Sequence, residues 1–182
     1  MSAWPEVFDE LVSARYPRLL AYGRFLAPAH EAADLVQEGL ASTFIARARF
    51  ESPAQAEAYV RRAMASRSID TSRRRVRDQR ALAKVWLERP VVADGPGSGL
   101  GAAVETAVVG LPPRTRACIV LRHLEDLSVR QTAEVLGLSE GAVKRYTADG
   151  LAALAVVLSA QAPRETAPVR LTTREVPDAR PR

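Results

Sequence analysis

With 182 residues and 26 Lys and Arg against 21 Asp and Glu, the chain has room for one medium or two small domains, and its net charge of +5 suits a polyanionic partner. No apolar run approaches the ~20 residues that span a bilayer, which excludes a membrane helix. The lone Cys118, inside Ala117-Cys118-Ile119-Val120-Leu121, excludes an internal disulfide and a cysteine-based zinc site, and reads as a buried structural thiol.

Ala, Leu, Val and Arg dominate, and Gly and Pro cluster between segments, which predicts an all-α protein. The start, Met1-Ser2-Ala3-Trp4-Pro5-Glu6, lacks the basic-then-apolar signal pattern, so a cytoplasmic location is expected. In the first zone Phe8, Leu11, Val12, Leu19, Leu20 and Leu26 mark apolar helix faces, and Pro17 should break or kink this stretch. The next helix is expected from about Glu31 to Ala46, burying Leu35, Val36, Leu40, Thr43 and Phe44. Asp34, Gln37, Glu38 and Ala41 recur at i, i+3, i+4 and i+7 and share its exposed face. Gly39 in its middle costs about 1 kcal/mol against alanine.

A short loop, Ala48-Arg49-Phe50-Glu51-Ser52, leads to a long helix. Ser52 is its cap, Pro53 its first residue, and Gln55 closes a capping box. Tyr59, Val60, Ala63 and Met64 should face inward. Arg61, Arg62, Arg67, Arg73, Arg74, Arg75, Arg77 and Arg80, opposed only by Asp70 and Asp78, make this helix a surface for tracking phosphates. Almost all the positive charge is arginine, since Lys84 and Lys144 are the only lysines, and the guanidinium fork matches phosphate and guanine.

Residues 88–101, rich in Gly and Pro, read as a flexible linker between an N-terminal domain, 1–87, and a C-terminal domain, 102–158. Residues 159–182 carry four prolines and little apolar periodicity and read as a disordered tail. The fold expected is therefore two small helical domains joined by a flexible linker, the second a four-helix unit. Its first helix is Ala102 to Val109, and the next enters through Leu111-Pro112-Pro113-Arg114 and buries Ile119, Val120, Leu121 and Leu124.

The last two helices form a helix-turn-helix. Ser128 and Gln131 are a capping box, Ala133 leaves room for the second helix, and Gly137 suits a left-handed stop. Leu138 plugs the space between the helices, Ser139 caps the second, and Val143 faces the core. Glu140, Gly141, Lys144 and Arg145 face outward, where such a helix meets base edges in a major groove. Leu151, Leu154 and Leu158 extend its apolar face.

The run from Leu111 to Ser128, followed by Leu136-Gly137-Leu138-Ser139-Glu140-Gly141-Ala142-Val143-Lys144, resembles the C-terminal domain of extracytoplasmic-function (ECF) sigma factors. Upstream, Tyr16-Pro17-Arg18-Leu19-Leu20, Ala33-Asp34-Leu35-Val36-Gln37-Glu38, Tyr59-Val60-Arg61-Arg62 through Ile69-Asp70, and Arg73-Arg74-Arg75 resemble that family's N-terminal domain in order. The wording Tyr59-Val60-Arg61-Arg62-Ala63-Met64 is similar to an actinobacterial SigE-type subgroup. The resemblance implies a protein that binds core RNA polymerase and promoter DNA, helps to open the DNA, and leaves room for an anti-sigma factor as a further partner. It implies polymerase docking by Asp34, Leu35, Gln37 and Glu38. It places Phe50, Glu51 and Ser52 in the loop that captures a flipped −10 base, and Arg61, Arg62, Ser66 and Arg67 along the −10 strand. The −35 element falls to Arg130, Ser139, Glu140, Gly141, Lys144 and Arg145. Tyr146-Thr147-Ala148-Asp149-Gly150 departs from the family's Ser- and Arg-rich continuation, which weakens the expected phosphate grip.

A stand-alone helix-turn-helix regulator that binds duplex DNA without polymerase is the alternative, and it leaves the Asp34 to Glu38 stripe unexplained. An enzyme is not expected. The sequence holds no phosphate loop, no metal spacing and no paired carboxylates in a pocket-like context, and His30 and His123 stand alone near helix ends. No cofactor or metal is expected.

Overall fold

The computed structural model describes residues 4–46, 50–82 and 100–161, and the regular elements among them are all α-helices. The N-terminal half holds α1 (Trp4–Ser13), α2 (Tyr16–Leu26), α3 (Ala29–Ile45) and α4 (Pro53–Leu82). The C-terminal half holds α5 (Leu100–Val109), α6 (Pro113–His123), α7 (Val129–Leu136) and α8 (Glu140–Gln161). Pro17 acts as a starter, sitting in the first turn of α2, where its missing N–H has no intrahelical partner to lose. Pro113 does the same for α6.

α3 and α4 pack closely, and α1 and α2 lie against them. Gly39 explains how close the approach is. A Cβ there would lie 2.6 Å from Cγ of Met64 and 3.4 Å from Val60, so the glycine that weakens α3 as an isolated helix lets α4 in. Leu11, Leu19, Leu26, Val36, Val60 and Met64 fill the centre. Phe44, expected in this core, is 57% exposed. The buried stripe of α3 runs through Val36, Leu40 and Thr43, and Phe44 falls one step off it, touching Phe8 edge-on at 5.9 Å. Tyr59, also expected inside, is 38% exposed, and Leu124 is 42% exposed because α6 ends at His123 and the chain turns there.

In the C-terminal half α8 packs on α5, α6 and α7. Gly150 is the crossing point with α6. A Cβ there would meet Cγ1 of Ile119 at 2.6 Å and Cγ2 of Thr115 at 2.9 Å. Gly150, one of the residues that depart from the family's Ser- and Arg-rich continuation, is thus required by the α6–α8 crossing. α8 runs on to Gln161, so residues 159–161 are helical rather than part of a tail. Leu100 and Gly101, placed in the linker, belong to α5. The rest of the linker and the tail from residue 162 lie outside the described residues, as do the side chains of Arg73, Arg74, Arg75, Arg77, Asp78 and Arg80.

The two halves are not separate bodies in this structure. α4 lies against α6 and α7, and α2 against α5 and α6. One apolar cluster contains Leu19, Val60 and Met64 from the first half with Val108, Val120, Leu121 and Leu127 from the second. Arg116 ties the halves together: its guanidinium donates to the carbonyl of Leu26 at 2.7 Å and to those of Val109 and Leu111 at 2.5 and 3.0 Å. It thereby caps the C-terminal carbonyls of α2 and α5 with one cation.

Gly150→Ala is expected to destabilise the chain by about 1–3 kcal/mol through overpacking against Ile119 and Thr115, despite alanine's better helix propensity. Gly141→Ala, where an added Cβ meets nothing within 4 Å, should be neutral or stabilising by up to about 1 kcal/mol. Urea denaturation of both variants checks the contrast; equal midpoints would refute it.

Candidate nucleic-acid and polymerase interface

The helix-turn-helix is built as its local sequence dictates. Ser128 Oγ accepts from the Gln131 N–H at 3.2 Å, and Gln131 Oε1 accepts from the Ser128 N–H at 2.9 Å. Gly137 takes φ 61°, the left-handed stop that a side chain would strain, and Ser139 Oγ receives the Ala142 N–H at 3.2 Å. Cys118, Ala133 and Val143 are buried between the helices, with Leu138 and Tyr146 packed against them. Burial pushes the Cys118 thiol up to about 11, so it stays a neutral packing group.

Ser139, Glu140, Gly141, Lys144 and Arg145 all reach the surface around the first turns of α8. Arg130 is exposed as well, but its Nε donates to Glu134 at 3.0 Å, an i,i+4 pair on the outer face of α7. Two residues join this surface that the sequence reading did not select. Arg145 lies 5.1 Å from the Tyr146 ring centroid, and Arg114, at the start of α6, stands beside the Tyr146 oxygen. Those guanidiniums, Arg114 foremost, draw the phenol below its ordinary range. Arg114 is far from the others in sequence, and only the α6–α8 crossing brings it here.

On the N-terminal half the candidate −10 residues divide. Ser52 Oγ accepts from the Gln55 N–H at 3.2 Å, as expected of a cap, while Gln55 Oε1 accepts from Glu51 N–H at 2.8 Å. Those bonds fix residues 51–55, next to Phe50. Phe50 is half-buried and tilted against Tyr59, with centroids 5.4 Å apart. Tyr59, Arg62 and Ser66 follow at i, i+3 and i+7, so an aromatic pair and a cation share one face of α4, with Arg67 exposed nearby. Tyr59 was hidden in the sequence by its apolar spacing.

Arg61 does not belong to that face. Next to Arg62 in sequence, it is turned about 100° away, and its guanidinium is held by two carboxylates. Glu57 Oε1 accepts at 2.6 Å, and Glu125 Oε1, from the C-terminal half, accepts at 3.1 Å. Glu57 also accepts from Arg15 at 2.7 Å. Arg61 lies 5.3 Å from the centroid of the buried Tyr22 ring. Burial, aided by Glu125, drives the Tyr22 phenol far above its usual range.

The polymerase-docking candidates also divide. Asp34, Gln37 and Glu38 are exposed along α3, whereas Leu35 is 4% exposed and sits in the core. Leu35 therefore supports the stripe from behind. Glu38 accepts a 3.3 Å hydrogen bond from Thr71 of α4. Among the described residues no cluster of His, Cys, Asp or Glu is arranged to hold a metal, and no described helix is long and apolar enough to cross a membrane.

The family description "Sigma-70 region 2" matches residues 11–78, and "Sigma-70, region 4" matches residues 101–154. The chain is 33% identical over 149 residues to the RNA polymerase sigma-E factor of Streptomyces coelicolor, covering 81% of this chain and 83% of that protein. It is 32% identical over 152 residues to the ECF RNA polymerase sigma factor SigE of Mycolicibacterium smegmatis, covering 79% of this chain and 57% of that one. Its fold is similar to that of the sigma factor RpoE of Bartonella quintana, solved in complex with the anti-sigma factor NepR. The TM-score is 0.62 at 22% identity, over 86% of this chain and 97% of that one.

Proposed function

The chain belongs to the ECF sigma factors of SigE type, and from that membership we propose how its surfaces divide the work. It binds core RNA polymerase and promoter DNA and directs transcription initiation. The observation that carries this reading is the presence of both sigma regions, in order, in one chain. A stand-alone regulator would leave α1 to α4 without a task.

In this proposal the exposed Asp34, Gln37 and Glu38 dock on a basic surface of the polymerase, with Leu35 holding α3 in place beneath them. The Phe50–Tyr59 pair and Arg62 and Arg67 engage the −10 strand. Aromatic faces accept unstacked bases at about 1–3 kcal/mol each, which offsets the few kcal/mol that flipping costs. Ser139, Glu140, Gly141, Lys144 and Arg145, with Arg130 alongside, meet the −35 duplex through the major groove. The N-terminal and C-terminal units would act on these elements separately, each within the boundaries the sequence suggests. An anti-sigma factor is a further proposed partner, and the cytoplasm the proposed location. Run-off transcription by core polymerase on fragmented genomic DNA tests the whole reading: discrete start sites dependent on this protein are expected, and their absence would refute it.

Replacing both Asp34 and Glu38 by alanine should weaken core-polymerase binding while changing stability by less than about 0.5 kcal/mol per site. A pull-down in which the folded double variant retains polymerase like wild type would sink that assignment. Phe50→Ala and Tyr59→Ala should each lower open-complex formation more than closed-complex binding. Permanganate footprinting beside filter binding separates the two steps, and equal losses in both would remove the stacking role.

A further inference from the structure

Two arginines of the C-terminal half meet where no carboxylate joins them. Arg114 stands in the first turn of α6 and Arg145 in the second turn of α8, and both guanidiniums lie beside the hydroxyl of Tyr146. Several other arginines are satisfied inside the molecule. Arg15, Arg61 and Arg130 hold glutamates, Arg116 holds three backbone carbonyls, and Arg122 holds the carbonyl of Leu127. Among the described residues neither Arg114 nor Arg145 has an acidic partner. Asp149 is exposed four residues beyond Arg145, yet no ion pair joins them. Two like charges drawn to one oxygen repel each other unless an anion comes between them.

The cluster is also firmly mounted. The Tyr146 ring packs against Cys118, Ala133 and Val143, which holds its hydroxyl in place, and Arg145 lies 5.1 Å from the ring centroid. No side chain caps the start of α6, so the positive end of that helix adds to the potential beside Arg114.

Its position fits a particular part of a duplex. Tyr146 is two residues from Lys144, about 200° round the helix axis. It therefore flanks the groove-facing side of α8 instead of lying on it. Beside a helix seated in the major groove runs the sugar–phosphate backbone, which positions a protein without specifying sequence.

We propose that Arg114, Arg145 and the Tyr146 hydroxyl clamp one backbone phosphate of duplex DNA at the rim of the groove that α8 enters. The proposal rests on the −35 reading above and extends it to residues outside that surface. The phenol O–H and the two guanidinium forks donate to the free oxygens of the phosphate. Arg145 thereby positions the helix, and base edges are left to Ser139, Glu140, Gly141 and Lys144. The stretch Tyr146-Thr147-Ala148-Asp149-Gly150, which carries no basic residue, is backed by a cation from another helix.

The test uses the full chain, titrated by fluorescence anisotropy across a range of salt concentrations with two duplexes of about 20 base pairs, one GC-rich and one AT-rich. Each phosphate neutralised contributes about 0.9 to the slope of log affinity against log salt. The double variant Arg114→Gln/Arg145→Gln should lower that slope by about one, because both cations serve the same phosphate. Arg114→Gln alone should weaken both duplexes several-fold, by the same factor. Tyr146→Phe removes a neutral donor and should weaken binding about threefold with the slope unchanged. Arg24→Gln, on an exposed residue of α2, removes one charge far from the clamp in sequence and should leave the slope alone.

A double variant that is folded by circular dichroism and keeps the wild-type slope would overturn the proposal. A loss of about two would do so as well, since the arginines would then sit on separate phosphates. So would an equal loss in Arg24→Gln, which would reduce the effect to net charge, a loss that differs between the duplexes, which would mean base reading, or an unchanged affinity in Tyr146→Phe. Duplex binding needs no polymerase, so these slopes decide the clamp whatever run-off transcription shows.

Discussion

The buried meeting of α4 with α6 governs the rest of the molecule. Val60 and Met64 from one half and Val120 and Leu121 from the other are fully buried in a single apolar cluster. Everything placed around that seam inherits its orientation: α7 is held against α4, Arg116 spans from Val109 to Leu26, and Glu125 is brought to Arg61. Removing about 25 cal/mol of unfavourable hydration per Å² of apolar surface favours this closure.

That arrangement keeps the proposed binding surfaces apart. The exposed stripe of α3 and the first turns of α8 are outside the seam and free of its energetics. The face of α4 carrying Tyr59 and Arg62 is likewise outside, and the Ser52 and Gln55 bonds cap the start of that helix next to Phe50. Arg61 alone of the described α4 arginines is drawn into the seam. A one-residue step on a helix is enough to convert an exposed cation into an internal counter-ion.

Two glycines show how packing overrides local cost. Gly39 and Gly150 each weaken their helices by about 1 kcal/mol against alanine. Each marks a place where a neighbouring helix approaches too closely for a Cβ. Asp126 is the opposite case: a side chain kept in a conformation that suits glycine, at a turn whose shape sets the position of Glu125.

The all-α class, the helix-turn-helix, its Ser128 and Ser139 caps, the Gly137 stop and the proline-led starts of α4 and α6 were legible in the sequence, whereas Pro17, read as a break, proves to start α2. Each depends on contacts within a few residues, which local spacing encodes. So was the exposure of Asp34, Gln37 and Glu38, because a clear helical period separates them from Leu35 and Val36. Tertiary structure alone decided the rest. Phe44, Tyr59 and Leu124 look like core by composition, but whether an apolar residue is buried depends on which neighbour covers it. Arg114 joins Tyr146, and Glu125 joins Arg61, across 32 and 64 positions of chain, through helix crossings that no local pattern records. The sequence determined which surfaces exist; the packing of α4 on α6 decided which of their charges stay exposed and which face each other.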